Sequence, residues 1–214
     1  MGFRTTYFKR VLMAVLFVFS TNTANANQKI LVWGDSLSAA YGIPVEKGWV
    51  NLMRKKLGDK VEITNGSISG ETTQGGLTRF TKALKKVKPD FVILELGAND
   101  GLRGLPPSVT KQNLIKIIEQ AKKANAEVLL LGMRIPPNYG VAYSQKFEKV
   151  FSDLAQQYQI PFIPFFLDNI VTDVNLLQKD ELHPAAEAQS LILANILPLV
   201  NELLKKQASR KVIK

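Results

Sequence analysis

The chain has no cysteine and a single histidine. The first absence removes disulfides, thiol nucleophiles and zinc–thiolate sites together. The second removes any metal site built from two imidazoles and leaves only a carboxylate-only site open, so no metal is expected. It also means that chemistry requiring an imidazole has one residue to supply it, His183. Aromatic residues do not interleave with the lysine clusters at 82–88 and 205–214. A stacking platform for single-stranded nucleic acid needs that interleaving, so nucleic-acid binding is not expected. Long apolar runs are scarce as well, and the one at residues 11–19 is too short to cross a bilayer as a helix.

That short run is preceded by Arg4, Lys9 and Arg10 and followed by Ala24-Asn25-Ala26. A basic start, an apolar centre and small residues two apart predict a signal peptide over 1–26, cleaved after Ala26, and hence a periplasmic or secreted protein. Its loss removes three Lys/Arg and no acidic residue, lowering the formal net charge from +10 to +7. Residues 27–214 contain nothing like a linker and are long enough for one domain with a substantial core. A monomer is expected. The excess positive charge reads first as a solvated surface, and weak contact with an anionic membrane surface fits it better than nucleic acid does.

Apolar runs at 30–33, 61–64, 91–96, 128–131 and 161–165 predict five strands, and their unbroken character predicts burial on both faces. Between them three sets recur at helical spacing: Leu77, Phe80, Leu84 and Val87; Leu114, Ile117, Ile118 and Ala121; Phe147, Val150, Phe151, Leu154 and Tyr158. Residues 49–57 fill the first crossover. Ala188, Leu191, Ile192, Ile196 and Leu199 predict a last helix that contains Pro198. Alternating strands and helices with right-handed crossovers give an α/β fold, a three-layer α/β/α sandwich around a five-stranded parallel sheet.

In such a sheet ligands bind beyond the carboxyl ends of the strands. Gly34-Asp35-Ser36-Leu37 follows the first strand, residues 65–72 the second and Gly97-Ala98-Asn99-Asp100 the third, while Asp180-Glu181-Leu182-His183-Pro184 lies beyond the fifth. A serine hydroxyl needs a base to become nucleophilic, and only His183 can act as one for Ser36. An ordinary serine here would cap a helix. Pro184 predicts that His183 stands at a helix start, whose partial positive charge would oppose protonation, with Asp180 accepting the Nδ1 proton. Asn99 can donate an amide N–H to a developing oxyanion, and Gly70 offers main chain that a substrate can approach. Either alone would be an ordinary turn residue, but four candidates on one edge of one sheet point to a site.

The segments Gly34-Asp35-Ser36-Leu37-Ser38-Ala39, Ile68-Ser69-Gly70-Glu71-Thr72, residues 97–104 and Asn138-Tyr139-Gly140 together resemble the SGNH, or GDSL, hydrolases. The likeness runs from residue 30 to about 200 and is greatest to the bacterial periplasmic thioesterase I/lysophospholipase/arylesterase group. It implies a flavodoxin-like fold, Ser36 as nucleophile, and Asp180 and His183 as the rest of the triad. It implies an oxyanion hole made of the Ser36 and Gly70 amides and the Asn99 side chain. Ala98 and Ala185 stand where glycine and asparagine are frequent. Ser36 lies outside a Gly-x-Ser-x-Gly elbow, which argues against the ordinary α/β-hydrolase fold. Loops 101–107 and 134–140 are expected to shape an acyl-chain groove, with no catalytic role for Arg103, Arg134 or Tyr139.

The expected activity is hydrolysis of acyl esters and thioesters, lysophospholipids among them, through an acyl-serine intermediate and without a cofactor. Two rivals remain at this point. One is a carbohydrate O-deacetylase of the same family. The other is a non-catalytic protein that holds a phosphate at a helix start with the hydroxyl-rich segment 71–76, although no dinucleotide or P-loop fingerprint accompanies it.

Overall fold

Valine, isoleucine and leucine dominate the strands because the central ones are covered on both faces, where a polar side chain would need a buried partner. The computed structural model describes residues 27–212, so the expected signal peptide lies outside the described residues. Five strands, β1 (Gln28–Gly34), β2 (Val61–Asn65), β3 (Phe91–Glu95), β4 (Glu127–Leu131) and β5 (Phe162–Ile163), form one sheet. All pair in parallel in the order β2-β1-β3-β4-β5. The expected fifth strand shrinks from five residues to two, because Pro161 and Pro164 have no N–H to give to a ladder. It sits at an edge, where such a stub is tolerated.

The helices are α1 (Ser36–Ala39), α2 (Trp49–Leu57), α3 (Thr73–Val87), α4 (Ala98–Leu102), α5 (Pro107–Lys123), α6 (Val141–Tyr158) and α7 (Gln189–Val212). α2 packs with α7, while α3 packs with α5 and α5 with α6, which makes the two outer layers. The spacing in the sequence found the right faces: Leu114, Ile117 and Ile118 of α5 and Phe147, Phe151 and Leu154 of α6 are buried. Each such side chain contributes on the order of 1.5–3 kcal/mol by leaving water. Leu191 departs from the expectation and is 44% exposed, because the buried stripe of α7 runs through Ile192, Ile196, Val200 and Leu203 instead. Pro198 lies inside α7, as expected.

Chain direction separates charge from chemistry. Helices α3, α5 and α7 end near the amino edge of the sheet, and Lys85, Lys86, Lys122 and Lys123 stand in last turns where a cation complements the helix dipole. Gln28 Nε2 donates to the Leu204 carbonyl, 3.1 Å away, which ties α7 to the start of β1. At the opposite, carboxyl edge the chain leaves β1 toward β2 on one side and later enters β3 on the other. The turns after β1 and β3 therefore part and leave a crevice between them.

Candidate active site

The turn after β1 is built for close approach. A Cβ on Gly34 would lie 2.4 Å from Glu95 Oε2 and 2.9 Å from the Glu95 carbonyl, so no side chain fits. Asp35 then caps α1, with its Oδ1 accepting the Leu37 N–H at 3.0 Å. Ser36 is thus the first helical residue and not the cap, which leaves its hydroxyl available. Ser36 Oγ lies 2.9 Å from His183 Nε2.

His183 reaches that position from a closed loop and not from a helix start. Pro184 forms an antiparallel bridge with Leu177, and α7 begins only at Gln189, so the helix charge expected on the imidazole is absent. Main-chain hydrogen bonds close the loop: Gln178 N–H donates to the His183 carbonyl and Ala185 N–H to the Leu176 carbonyl, both at 2.7 Å. Gln178 Nε2 fastens it to the Tyr41 and Pro184 carbonyls at 2.8 and 3.1 Å. The Tyr41 ring lies 4.6 Å from the imidazole, centre to centre.

Asp180 Oδ2 is 2.6 Å from His183 Nδ1, and its Oδ1 accepts the N–H groups of Leu182 and His183 at 3.1 and 3.0 Å. What burial it has pushes the Asp180 carboxyl up, but the hydrogen bonds from His183 and Leu182 outweigh this and hold it at about 2. An ionised Asp180 selects the tautomer with the proton on Nδ1, leaving Nε2 to accept from Ser36.

Gly70 has φ +77°, a conformation that strains other residues, and nothing lies within 4 Å of where a Cβ would be. Neither its N–H nor that of Ser36 donates to a protein acceptor among the described residues. Asn99, at the start of α4, donates from Nδ2 to Asp35 Oδ2 at 3.1 Å and to the Glu71 carbonyl at 3.0 Å. Both amide hydrogens are engaged, so an oxyanion would compete with the Glu71 carbonyl for one of them. Ala98 keeps negative φ, so the absent glycine does not disturb this turn. Arg103 Nη2 donates to the Gly70 carbonyl at 3.1 Å, and Arg79 pairs with Glu71 and donates to the Gly66 carbonyl. The turn 66–72 is held from two sides.

Residues 32–191, most of the chain, match the GDSL-like lipase/acylhydrolase family. The chain belongs to that family. An arylesterase of Vibrio mimicus is 45% identical over 186 residues, 86% of this chain and 93% of that protein. The thioesterase 1/protease 1/lysophospholipase L1 of Escherichia coli is 39% identical over 198 residues, 91% of this chain and 95% of that protein. The psychrotrophic esterase EstA from Pseudoalteromonas sp., in a structure inhibited by monoethylphosphonate, superposes with a TM-score of 0.79 at 39% identity, covering 84% of this chain and 100% of that one.

In this GDSL-like protein Ser36, Asn99 and His183 line one open cavity of about 430 Å³. Leu102, Ile135 and Pro136 come from the two loops expected to border it, and Met133 stands just before the second of them. Phe165 ends the fifth apolar run, and Leu167, Val171, Leu177 and Leu182 come from the rest of the segment between β5 and α7, which no periodic pattern marked out. Arg134 lies at the cavity, paired with Glu148 at 2.7 Å and over the Phe165 ring; the Tyr139 hydroxyl donates to the Leu102 carbonyl at 2.8 Å and joins the bordering loops. The sequence reading assigned no role to Glu95, a residue that stands at the end of an apolar run. A charged residue in a strand read as buried was the signal.

Proposed function

We propose that this family member is an exported serine esterase that hydrolyses acyl esters and thioesters through an acyl-Ser36 intermediate. The observation that carries the reading is the Asp180–His183–Ser36 chain of contacts, 2.6 and 2.9 Å long, opening onto a cavity lined chiefly by apolar side chains. As Ser36 Oγ attacks the acyl carbon, His183 Nε2 takes its proton and Asp180 stabilises the imidazolium. The carbonyl oxygen becomes an oxyanion that the Ser36 and Gly70 amides and Asn99 can hold. His183 then protonates the departing alkoxide or thiolate, and in the second half activates a water that releases the acid and restores Ser36. No step calls for a cofactor.

The names of the arylesterase and thioesterase/lysophospholipase relatives support ester and thioester substrates. The apolar cavity favours a fatty-acyl chain over the acetyl group of a carbohydrate. Phosphate binding is disfavoured locally: the Thr72 hydroxyl accepts the Gly75 N–H, and that of Thr73 bonds to Asp100. Fluorophosphonate labelling combined with a p-nitrophenyl ester series tests the whole reading. The expected result is stoichiometric labelling at Ser36 and a kcat/KM that rises from acetyl toward longer chains. No labelling would refute a serine hydrolase, and a preference for acetyl would return the deacetylase.

Asn99→Ala is expected to lower kcat by about 10²–10³, near 2.7–4 kcal/mol, with KM little changed, because the interaction strengthens only as charge develops on the oxygen. Turnover per active site titrated on the same preparation checks this. Normal turnover with a lower melting temperature would leave Asn99 as a turn residue alone.

A further inference from the structure

Two carboxyl groups that take no part in the proton transfers lie fully buried behind the proposed oxyanion hole: Asp35, which follows β1, and Glu95, which ends β3. Neither forms a salt bridge among the described residues. Glu95 Oε2 accepts the Asp35 N–H at 3.2 Å and the Ser38 hydroxyl at 2.6 Å. Glu95 Oε1 has no hydrogen-bond partner among the described residues. Asp35 receives an N–H on each oxygen, from Leu37 and from Asn99.

Adjacent buried carboxylates with no cation between them do not both ionise. The donor inventory decides which one keeps its proton. Asp35, with N–H donors on both oxygens, is surrounded as an anion is. Glu95 has one oxygen engaged and one free to carry hydrogen. We propose that Glu95 is a neutral carboxylic acid that positions the oxyanion hole: it holds the turn carrying Ser36 and, by staying uncharged, leaves Asp35 as the anion that aims the Asn99 amide.

The groups facing the pair support this order. Burial, and then the Asp35 charge, push the Glu95 carboxyl well above the usual range. Burial raises Asp35 to about 7 against the hydrogen bonds from Leu37 and Asn99, while the charge of Asp100 on α4 pushes the same way as burial. From α1 the pair meets the Leu37 N–H and the uncharged Ser38 hydroxyl, and His183 is separated from Asp35 by Ser36. A second negative charge at Glu95 would oppose an oxyanion developing nearby.

The catalytic consequence rests on the esterase reading, but the protonation does not, and the test separates them. A carboxyl raised in the folded state contributes stability that is complete below about pH 4 and is lost as pH rises toward its folded value. Glu95→Gln stays uncharged, so its Tm minus that of the wild type should grow steadily from about pH 5 to about pH 9. At about pH 9, where Asp35 is ionised, the infrared spectrum of the wild type should show a protonated-carboxyl C=O band. That band should shift on ¹³C-glutamate labelling and be missing from Glu95→Gln. Glu95→Gln should also turn over at least roughly tenfold faster than Glu95→Ala, as expected where a neutral hydrogen-bonding group is what the turn requires.

A Tm difference that does not change with pH, a wild type without the glutamate band, or a Gln variant no faster than Ala would each overturn the proposal. The band in the wild type decides the matter even if a variant does not fold. Fluorophosphonate labelling of the wild type, run alongside, shows whether a failure touches the esterase reading or Glu95 alone.

Discussion

Ser36→Ala is expected to lower turnover of a soluble aryl ester by about 10⁶-fold, and His183→Ala by a similar factor. The double variant should lose no more than either single one, because the hydroxyl and the imidazole act as one proton-transfer unit and removing either member disables it. What remains, roughly 10³–10⁴ over water, would come from substrate binding and the oxyanion donors. Ser36 is nearly buried on a one-turn helix capped by Asp35, so losing a single oxygen should leave the fold intact. Circular dichroism and melting temperature measured beside the rates check this. Near-normal turnover of either variant, or losses that multiply in the double variant, would remove Ser36 and His183 from the roles proposed.

Asp180→Asn should reduce kcat by roughly 10³–10⁴ while leaving the melting temperature close to that of the wild type. The amide oxygen can still accept the Leu182 and His183 N–H groups, so the loop keeps its closure. Its NH₂, however, would face Nδ1 and favour the tautomer with hydrogen on Nε2, which cannot accept from Ser36. The pair is partly exposed, with 42% of the Asp180 side-chain surface accessible, so solvent screening keeps its contribution to stability small. The sign with pH follows from the depressed carboxyl. Asp180 supports the folded state above its ordinary value, and that support fades only as pH falls through about 2. Loss of the wild-type rate at mildly acidic pH would therefore not report protonation of Asp180. An unchanged rate in the Asn variant would transfer the orienting of His183 to another group.

Much of this molecule follows from patterns of short range. Apolar runs about the length of a strand, alternating with helical spacings, sufficed for a five-stranded α/β sheet, since burial on both faces leaves little else that such runs can become. Ser36 and Asn99 were legible because each follows a strand end, whereas Asp180 and His183 stand well beyond β5 and were legible as the one imidazole and a carboxylate three residues before it. The errors lie where an outcome depends on what packs nearby. Pro184 looks like the first residue of a helix, yet its neighbour is Leu177, and the bridge between them moves the helix start to Gln189. Leu191 has the spacing of a core residue, but the turn of α7 against the sheet leaves it in solvent.

The sequence by itself determined the class of chemistry: no thiol, one imidazole, a serine beside a tight turn, and an aspartate three residues before the histidine, near enough for loop closure alone to bring them together. Only the tertiary structure decided whether that imidazole meets the serine. Ser36 and His183 stand 147 residues apart, and their 2.9 Å contact depends on the parallel order of the sheet and on a loop that comes back over its carboxyl edge. The partnership of Asp35 with Glu95 has the same origin. Each is a common residue at the end of a strand, and they become neighbours because β1 and β3 are paired in register, Gly34 beside Glu95.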